Sequence, residues 1–204
     1  MKRKLKRRIL SLTLTLFSSF QLHAATPASS AEECKKLFDD YTYKLAIPSC
    51  TQAAKGGDSP SQTMLGEMFD QQGDSKKTAL WWNKAAAAGY QPARNLLALK
   101  YYYGGTVLGP EEGWIQDYNK AFKIWMDDSK KGVATSQFMI GIMYQKGLGV
   151  PKDLAEAYFW LKVALANGYK LSTDVLIEIS RDITPQQKKN GEQKLREYKK
   201  RIAS

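Results

Sequence analysis

Four glycines, each closing a stretch that reads as an Ala-rich helix, recur along this chain at Gly57, Gly89, Gly132 and Gly168. The stretches leading into them align as "AIPSCTQAAKGG", "TALWWNKAAAAG", "AFKIWMDDSKKG" and "AYFWLKVALANG". Each opens on a small residue (Ala46, Thr78, Ala121, Ala157), and the glycine follows 11 positions later. A second helical pattern precedes them, with a small residue at Gly66, Ala98 and Gly141 and an aromatic three residues on, at Phe69, Tyr101 and Tyr144. The glycines stand 32, 43 and 36 residues apart. A period in the thirties, written as helix–loop–helix, predicts a solenoid, because one helix pair cannot bury its own apolar face and must stack on the next. The expected fold is all-α, an α-solenoid of antiparallel helix pairs. The pairs are expected near 31–42/46–56, 61–72/76–88, 92–103/117–131, 135–146/153–167 and 172–182/185–201.

The pattern has physical reasons. A small residue at Gly66, Ala98 or Gly141 lets two helix backbones approach, and Tyr144 and Trp160 fill the space between layers as large apolar knobs. Glycine suits the left-handed position after a helix end, and Tyr90, Val133 and Tyr169 supply the apolar residue that accompanies such a cap. Gly147 and Gly149 allow a tight turn, and Pro151-x-Asp153 fits the start of the next helix. Ser30 with Glu33 reads as a capping box opening the first helix. Thr184, Pro185 and Gln187 read as N-cap, first helical position and reciprocal cap of the last helix.

The stretch Ala134 to Tyr169, "ATSQFMIGIMYQKGLGVPKDLAEAYFWLKVALANGY", resembles the Sel1-like repeat, a relative of the tetratricopeptide repeat. Ile140-Gly141, Tyr144, Gly147-x-Gly149-Val150, Asp153, Ala157, Trp160, Ala164 and Gly168 carry the resemblance. Earlier repeats depart from it. The one ending at Gly89 reads "QQGDSKK" where the Gly-x-Gly-Val loop belongs; the one ending at Gly132 has Ala98 for glycine and a longer loop, "GGTVLGPEEGWIQD". The resemblance covers about residues 31–182 and implies a right-handed superhelix that binds partners on its concave, first-helix face.

The N-terminus has a basic head, "MKRKLKRR", an apolar stretch, "ILSLTLTLFSSF", and a small-residue exit, "QLHAAT". That order describes a secretory signal peptide over residues 1–24, with cleavage after Ala24. The apolar stretch is too short to span a bilayer. The expected organisation is therefore a signal peptide (1–24), a repeat solenoid (25–182) and a basic capping helix (183–204), in a periplasmic or secreted monomer. The net charge of +11 falls to +5 without the leader, and residues 25–187 carry 18 charges of each sign. A neutral body excludes nucleic acid as an expected partner. The surplus sits in residues 188–201, either as a solvated helix with Glu192/Arg196 and Glu197/Arg201 pairs or as a weak contact for an anionic surface. Cys34 and Cys50, the only cysteines, form an even pair in an exported chain, on antiparallel neighbours, and a disulfide is expected.

The single histidine, His23, lies in the leader. The mature chain thus lacks Ser-His and Cys-His nucleophiles, imidazole bases and His-zinc sites. It has no G-x-S-x-G and no S-x-x-K, which weighs against the alternative the resemblance carries, a cell-wall or β-lactam-directed hydrolase. No cofactor, metal or catalytic residue is expected. The expected function is non-enzymatic protein–protein interaction, in an adaptor, envelope-associated or immunity role. The candidate contact residues are the non-packing positions of the first helices, Gln62, Glu67, Arg94, Lys100, Gln137 and Gln145, with Tyr102, Tyr103 and Trp114 beside the long loop. Trp114 either anchors a partner or folds back on Tyr102 or Tyr103.

Overall fold

The computed structural model describes residues 26–104 and 114–203. The expected leader, residues 1–24, and the loop 105–113 with Glu111 and Glu112 lie outside them. Ten helices follow one another among the described residues: α1 (Pro27–Asp39), α2 (Tyr43–Lys55), α3 (Ser59–Gln71), α4 (Ser75–Ala87), α5 (Gln91–Tyr103), α6 (Tyr118–Lys130), α7 (Ala134–Lys146), α8 (Leu154–Ala166), α9 (Ser172–Ile179) and α10 (Pro185–Ala203). Helices α1/α2, α3/α4, α5/α6 and α7/α8 pack as pairs, and each pair stacks on the next through α2–α3, α4–α5, α6–α7 and α8–α9. The fold is an all-α solenoid.

The four glycines do the same job four times. At the α4 end the Gly89 N–H donates to Ala86 C=O and the Tyr90 N–H to Ala85 C=O, with Gly89 at φ +82°. The same two crossed bonds close α2, α6 and α8 at Gly57, Gly132 and Gly168. This is the Schellman arrangement, which satisfies two orphan carbonyls and reverses the chain in three residues. The residue after the glycine then caps the following helix at Asp58, Tyr90 and Val133. Within a pair, the N–H of an aspartate N-cap donates to the carbonyl of the repeat's aromatic: Asp74 to Phe69 at 2.9 Å, Asp117 to Tyr101 at 2.7 Å and Asp153 to Tyr144 at 3.0 Å. The long loop after α5 therefore departs from and returns to the same hydrogen-bonded frame as the short ones.

The small positions set how closely the helices approach. A Cβ on Gly66 would lie 2.3 Å from Trp82 Cδ1, and one on Gly141 would lie 2.7 Å from Leu161 Cγ. Seven residues before each closing glycine stand Cys50, Trp82, Trp125 and Leu161, all essentially fully buried. In the first repeat this layer is covalent: Cys34, 32 residues before Gly66, is bonded to Cys50 with the two Cα atoms 4.6 Å apart.

Three expectations about the ends are corrected. α1 opens at Thr26, whose hydroxyl accepts from Ser29 N–H, and Pro27 takes the first turn; Ser30 is inside the helix and buried. α2 begins at Tyr43, ahead of the expected 46, so Pro48 and Cys50 lie well inside it. α10 is capped as expected, with Thr184 N–H donating to Gln187 Oε1 at 2.9 Å and Gln187 N–H to Thr184 Oγ1 at 3.2 Å. It packs on α8, however, rather than pairing with α9. Gly191 permits this, since a Cβ there would meet the Ala155 carbonyl at 2.8 Å. Lys194 pairs with Glu156, and burial together with the nearby Glu192 carboxylate pushes the Tyr158 hydroxyl pKa upward. Leu195 and Tyr198 pack onto the core around Phe159.

Candidate functional site

Gln62, Arg94 and Gln137 occupy one repeat position, five residues past a closing glycine, and none of the three faces outward as expected. Gln62 Nε2 donates to Ala54 C=O and Gln137 Nε2 to Ser129 C=O, each at 3.0 Å across to the end of the preceding helix. Each glutamine adds a second donor to a carbonyl that already accepts the N–H of the closing glycine, Gly57 or Gly132, so both lone pairs of that buried oxygen are used. Gln137 also accepts from Asn167 Nδ2 at 2.8 Å. Gln62 Oε1 has no such partner, and Ala88 stands where Asn167 does in the last repeat. Arg94 reaches forward instead, its Nε donating to Asp128 Oδ1 at 2.7 Å. These side chains strap neighbouring repeats together.

Two aromatic candidates are also packed. Tyr102 is 8% exposed, its ring against Tyr103, Tyr118 and Trp125. Burial and the neighbouring Tyr103 and Tyr118 push its hydroxyl pKa upward. Trp114 is 9% exposed and folds back, not onto Tyr102 or Tyr103, but edge-on to Tyr101 at 5.4 Å and tilted against Trp82 at 6.3 Å. Gln145, on α7, is half-buried with its Oε1 unpartnered.

The structure brings the other three candidates together. Glu67, Lys100 and Tyr103 line a cleft of about 310 Å³ between α3 and α5. Sequence reasoning missed the rest of its lining: Asp70, Gln71, Leu96, Leu99, Gly104 and, at its floor, Trp82. The spacing was the available signal. Glu67, Asp70 and Gln71 are i, i+3, i+4 on α3; Leu96, Leu99, Lys100 and Tyr103 are i, i+3, i+4, i+7 on α5. Each set is one helix face. Trp114 stacks behind Trp82 and supports the wall without joining it.

Lys100 Nζ is 2.8 Å from Asp70 Oδ1, and both side chains are mostly shielded. Among the described residues Glu67 has no cation of its own. Burial, then the nearby Asp70 carboxylate, push its pKa above the usual value. The cleft therefore holds two carboxylates and one ammonium group, with apolar walls and an exposed phenol, Tyr103, at its rim. Among the described residues no group of His, Cys, Asp and Glu is arranged to hold a metal, and no helix is long and apolar enough to cross a membrane. Such an arrangement suits recognition of a polar or cationic side chain in a partly desolvated groove.

Comparison with known proteins gives a consistent picture. The family model described as Sel1 repeat matches residues 59–90 and 134–169. The chitin synthase regulator SKT5 of Saccharomyces cerevisiae is 29% identical over 164 residues, covering 76% of this chain and 23% of that protein. The alginate biosynthesis protein AlgK of Azotobacter vinelandii is 25% identical over 134 residues, covering 52% of this chain and 29% of that protein. Among solved structures, a protective antigen of uropathogenic Escherichia coli strains displaying an SLR fold superposes with a TM-score of 0.67 at 24% identity, over 84% of this chain and 39% of that one. The chain thus spans about a quarter of the curated relatives just described, and the likeness to the solved structure shows the fold.

Proposed function

This chain is a Sel1-like repeat protein, and on that premise we propose that it is an exported, periplasmic adaptor, monomeric and without catalytic activity, that binds another protein in the groove between α3 and α5. The observation that carries the reading is the cleft itself. It is a mixed polar and apolar groove on the first-helix side, and Glu67 and Tyr103 in it are spared the strapping duties that occupy Gln62, Arg94 and Gln137 and, through Asp70, Lys100. Export is supported by the leader-like N-terminus and by the Cys34–Cys50 disulfide, a bond that persists in oxidising compartments. The relatives' names, a chitin synthase regulator and an activator of C kinase among them, describe proteins that act through other proteins. The domain organisation goes with the reading: a leader over 1–24, the solenoid over 25–182 and a basic cap over 183–204.

The test is capture of periplasmic proteins by the mature chain, followed by mass spectrometry and a measured affinity for the partner found. Tyr103, 70% exposed at the rim, is the probe. Tyr103→Ala should weaken binding by about 1–3 kcal/mol with an unchanged melting temperature. Tyr102→Ala should instead lower stability by about 3 kcal/mol, as a buried aromatic truncation does. Partner binding that is indifferent to Tyr103→Ala and to Lys100→Met places the interface elsewhere, with the basic face of α10 next to be tried.

A further inference from the structure

We propose that the α3–α5 cleft is a pocket for one arginine side chain of the partner protein, its guanidinium held by Glu67, its stem along Leu96 and Leu99 and its plane against the exposed ring of Tyr103. The inference rests on the reading above, that this groove binds a protein, and names what the groove selects.

Position in the repeat singles out Glu67. The equivalent residues, ten past the closing glycine, are Leu99 on α5 and Ile142 on α7, both half-buried aliphatics. On the two later first helices the position is thus apolar, whereas α3 carries an acid; in the end helix α1 it is the exposed Lys35. Glu67 is half-buried and, among the described residues, has neither a hydrogen bond nor a cation, because Lys100, the cation within the cleft, is taken by Asp70 at 2.8 Å. An uncompensated carboxylate in an apolar position destabilises the free protein, and such departures from local consistency mark functional sites. The raised pKa of Glu67 has the same origin.

Charge and shape then choose the guest. Glu67, Asp70 and Lys100 leave the cleft one negative charge in excess, so a cation completes it. Tyr103, 70% exposed, offers ring surface above a floor closed by the buried Trp82, and about 310 Å³ accommodates one long side chain. Guanidinium is more weakly hydrated than ammonium, stacks on aromatic rings and pairs with a carboxylate through two parallel hydrogen bonds. Arginine fits these walls better than lysine.

The test uses the mature protein labelled with ¹⁵N and three capped pentapeptides, Gly-Leu-X-Leu-Gly with X as arginine, lysine or glutamine. The arginine peptide should give saturable shifts at the Trp82 indole and at α3 and α5 amides, with lysine weaker and glutamine without effect. Glu67→Gln should weaken the arginine peptide roughly tenfold or more, and it should fold normally because it removes a desolvated charge. Equal shifts with the glutamine peptide, or an affinity unchanged by Glu67→Gln, overturn the proposal. If Tyr103→Ala and Lys100→Met abolish partner binding while no peptide binds, the groove reading stands and the arginine assignment falls. If neither responds, both fall.

Discussion

Asp128 stands four residues before a closing glycine, where the other repeats carry Ala53, Ala85 and Ala164, all fully buried. A carboxylate with 2% of its side chain exposed is tolerated there because Arg94, at the position of Gln62 and Gln137, turns to meet it. The pair is an exchange made at two sites. Removing Arg94 leaves the buried carboxylate to the exposed Lys131, whose Nζ is 3.6 Å away, whereas removing both partners restores what the neighbouring repeats use. Arg94→Gln alone should therefore cost about 3 kcal/mol, and Arg94→Gln with Asp128→Ala should recover most of that loss in urea unfolding. Simple additivity in the double mutant would show that the two do not act as a pair. Glu67 yields a prediction in pH. Its folded pKa is raised, so the folded state binds protons more tightly and stability declines as pH rises from the unfolded value through the folded one. Melting temperature against pH should show a decline across that window which flattens in Glu67→Gln. At this scale the sequence was only partly legible. A polar residue on a helix face reads alike whether it meets water or a carbonyl of the neighbouring helix end, and Gln62 and Gln137 meet carbonyls. Glu67 was legible as polar, but its isolation was not, since Lys100 finds Asp70 only after folding.

Elements were much more legible, because their signals are local. The closing glycines, the Asp153 cap and the reciprocal Thr184–Gln187 cap each fall where the residues place them. Where two local signals competed, the reading failed: Thr26 with Pro27 opens α1 although Ser30 with Glu33 spells the same cue, and α2 opens at Tyr43 ahead of the expected 46. The docking of α10 on α8 was not legible, because a glycine inside a helix does not say which helix it approaches; Gly191 meets Ala155 and Tyr158 only in three dimensions. The contact between α3 and α4 tests how far element spacing depends on one missing methyl. In Gly66→Ala the new Cβ would sit 2.3 Å from the indole of a Trp82 whose Nε1 donates to Thr63 C=O at 3.1 Å. The ring cannot swing aside without losing that bond, so the substitution should cost about 1–3 kcal/mol despite the better helix propensity of alanine. Loss of Trp82 burial, read as a red-shifted fluorescence, should accompany it. Unchanged stability would mean that the helices separate freely.

Across the whole molecule, stability is a sum over neighbours, and the two ends have one neighbour each. The C-terminal end is closed by α10 lying over α8. Among the described residues the N-terminal pair leans on α3 alone, from one side, and its layer residues are small. Where the later repeats set Trp82, Trp125 or Leu161 against a small residue, the first sets Cys50 against Cys34. Two thiols fill far less volume than an indole, so without a covalent bond this layer would be the weakest of the stack. The bond closes a loop with a sequence separation of 16 residues, which stabilises by roughly 3 kcal/mol in the chain-entropy model. Its effect should be local, because coupling in a solenoid passes through adjacent interfaces. Cys34→Ala with Cys50→Ala should accordingly lose about 2–4 kcal/mol and show faster amide hydrogen exchange throughout α1 and α2, with protection in α7 and α8 retained. If exchange instead accelerates equally in α7 and α8, the stack unfolds as one cooperative unit and the disulfide supports the entire solenoid. If α1 and α2 stay protected, the apolar contacts of Leu37, Phe38 and Ile47 in the same cluster hold that end without it.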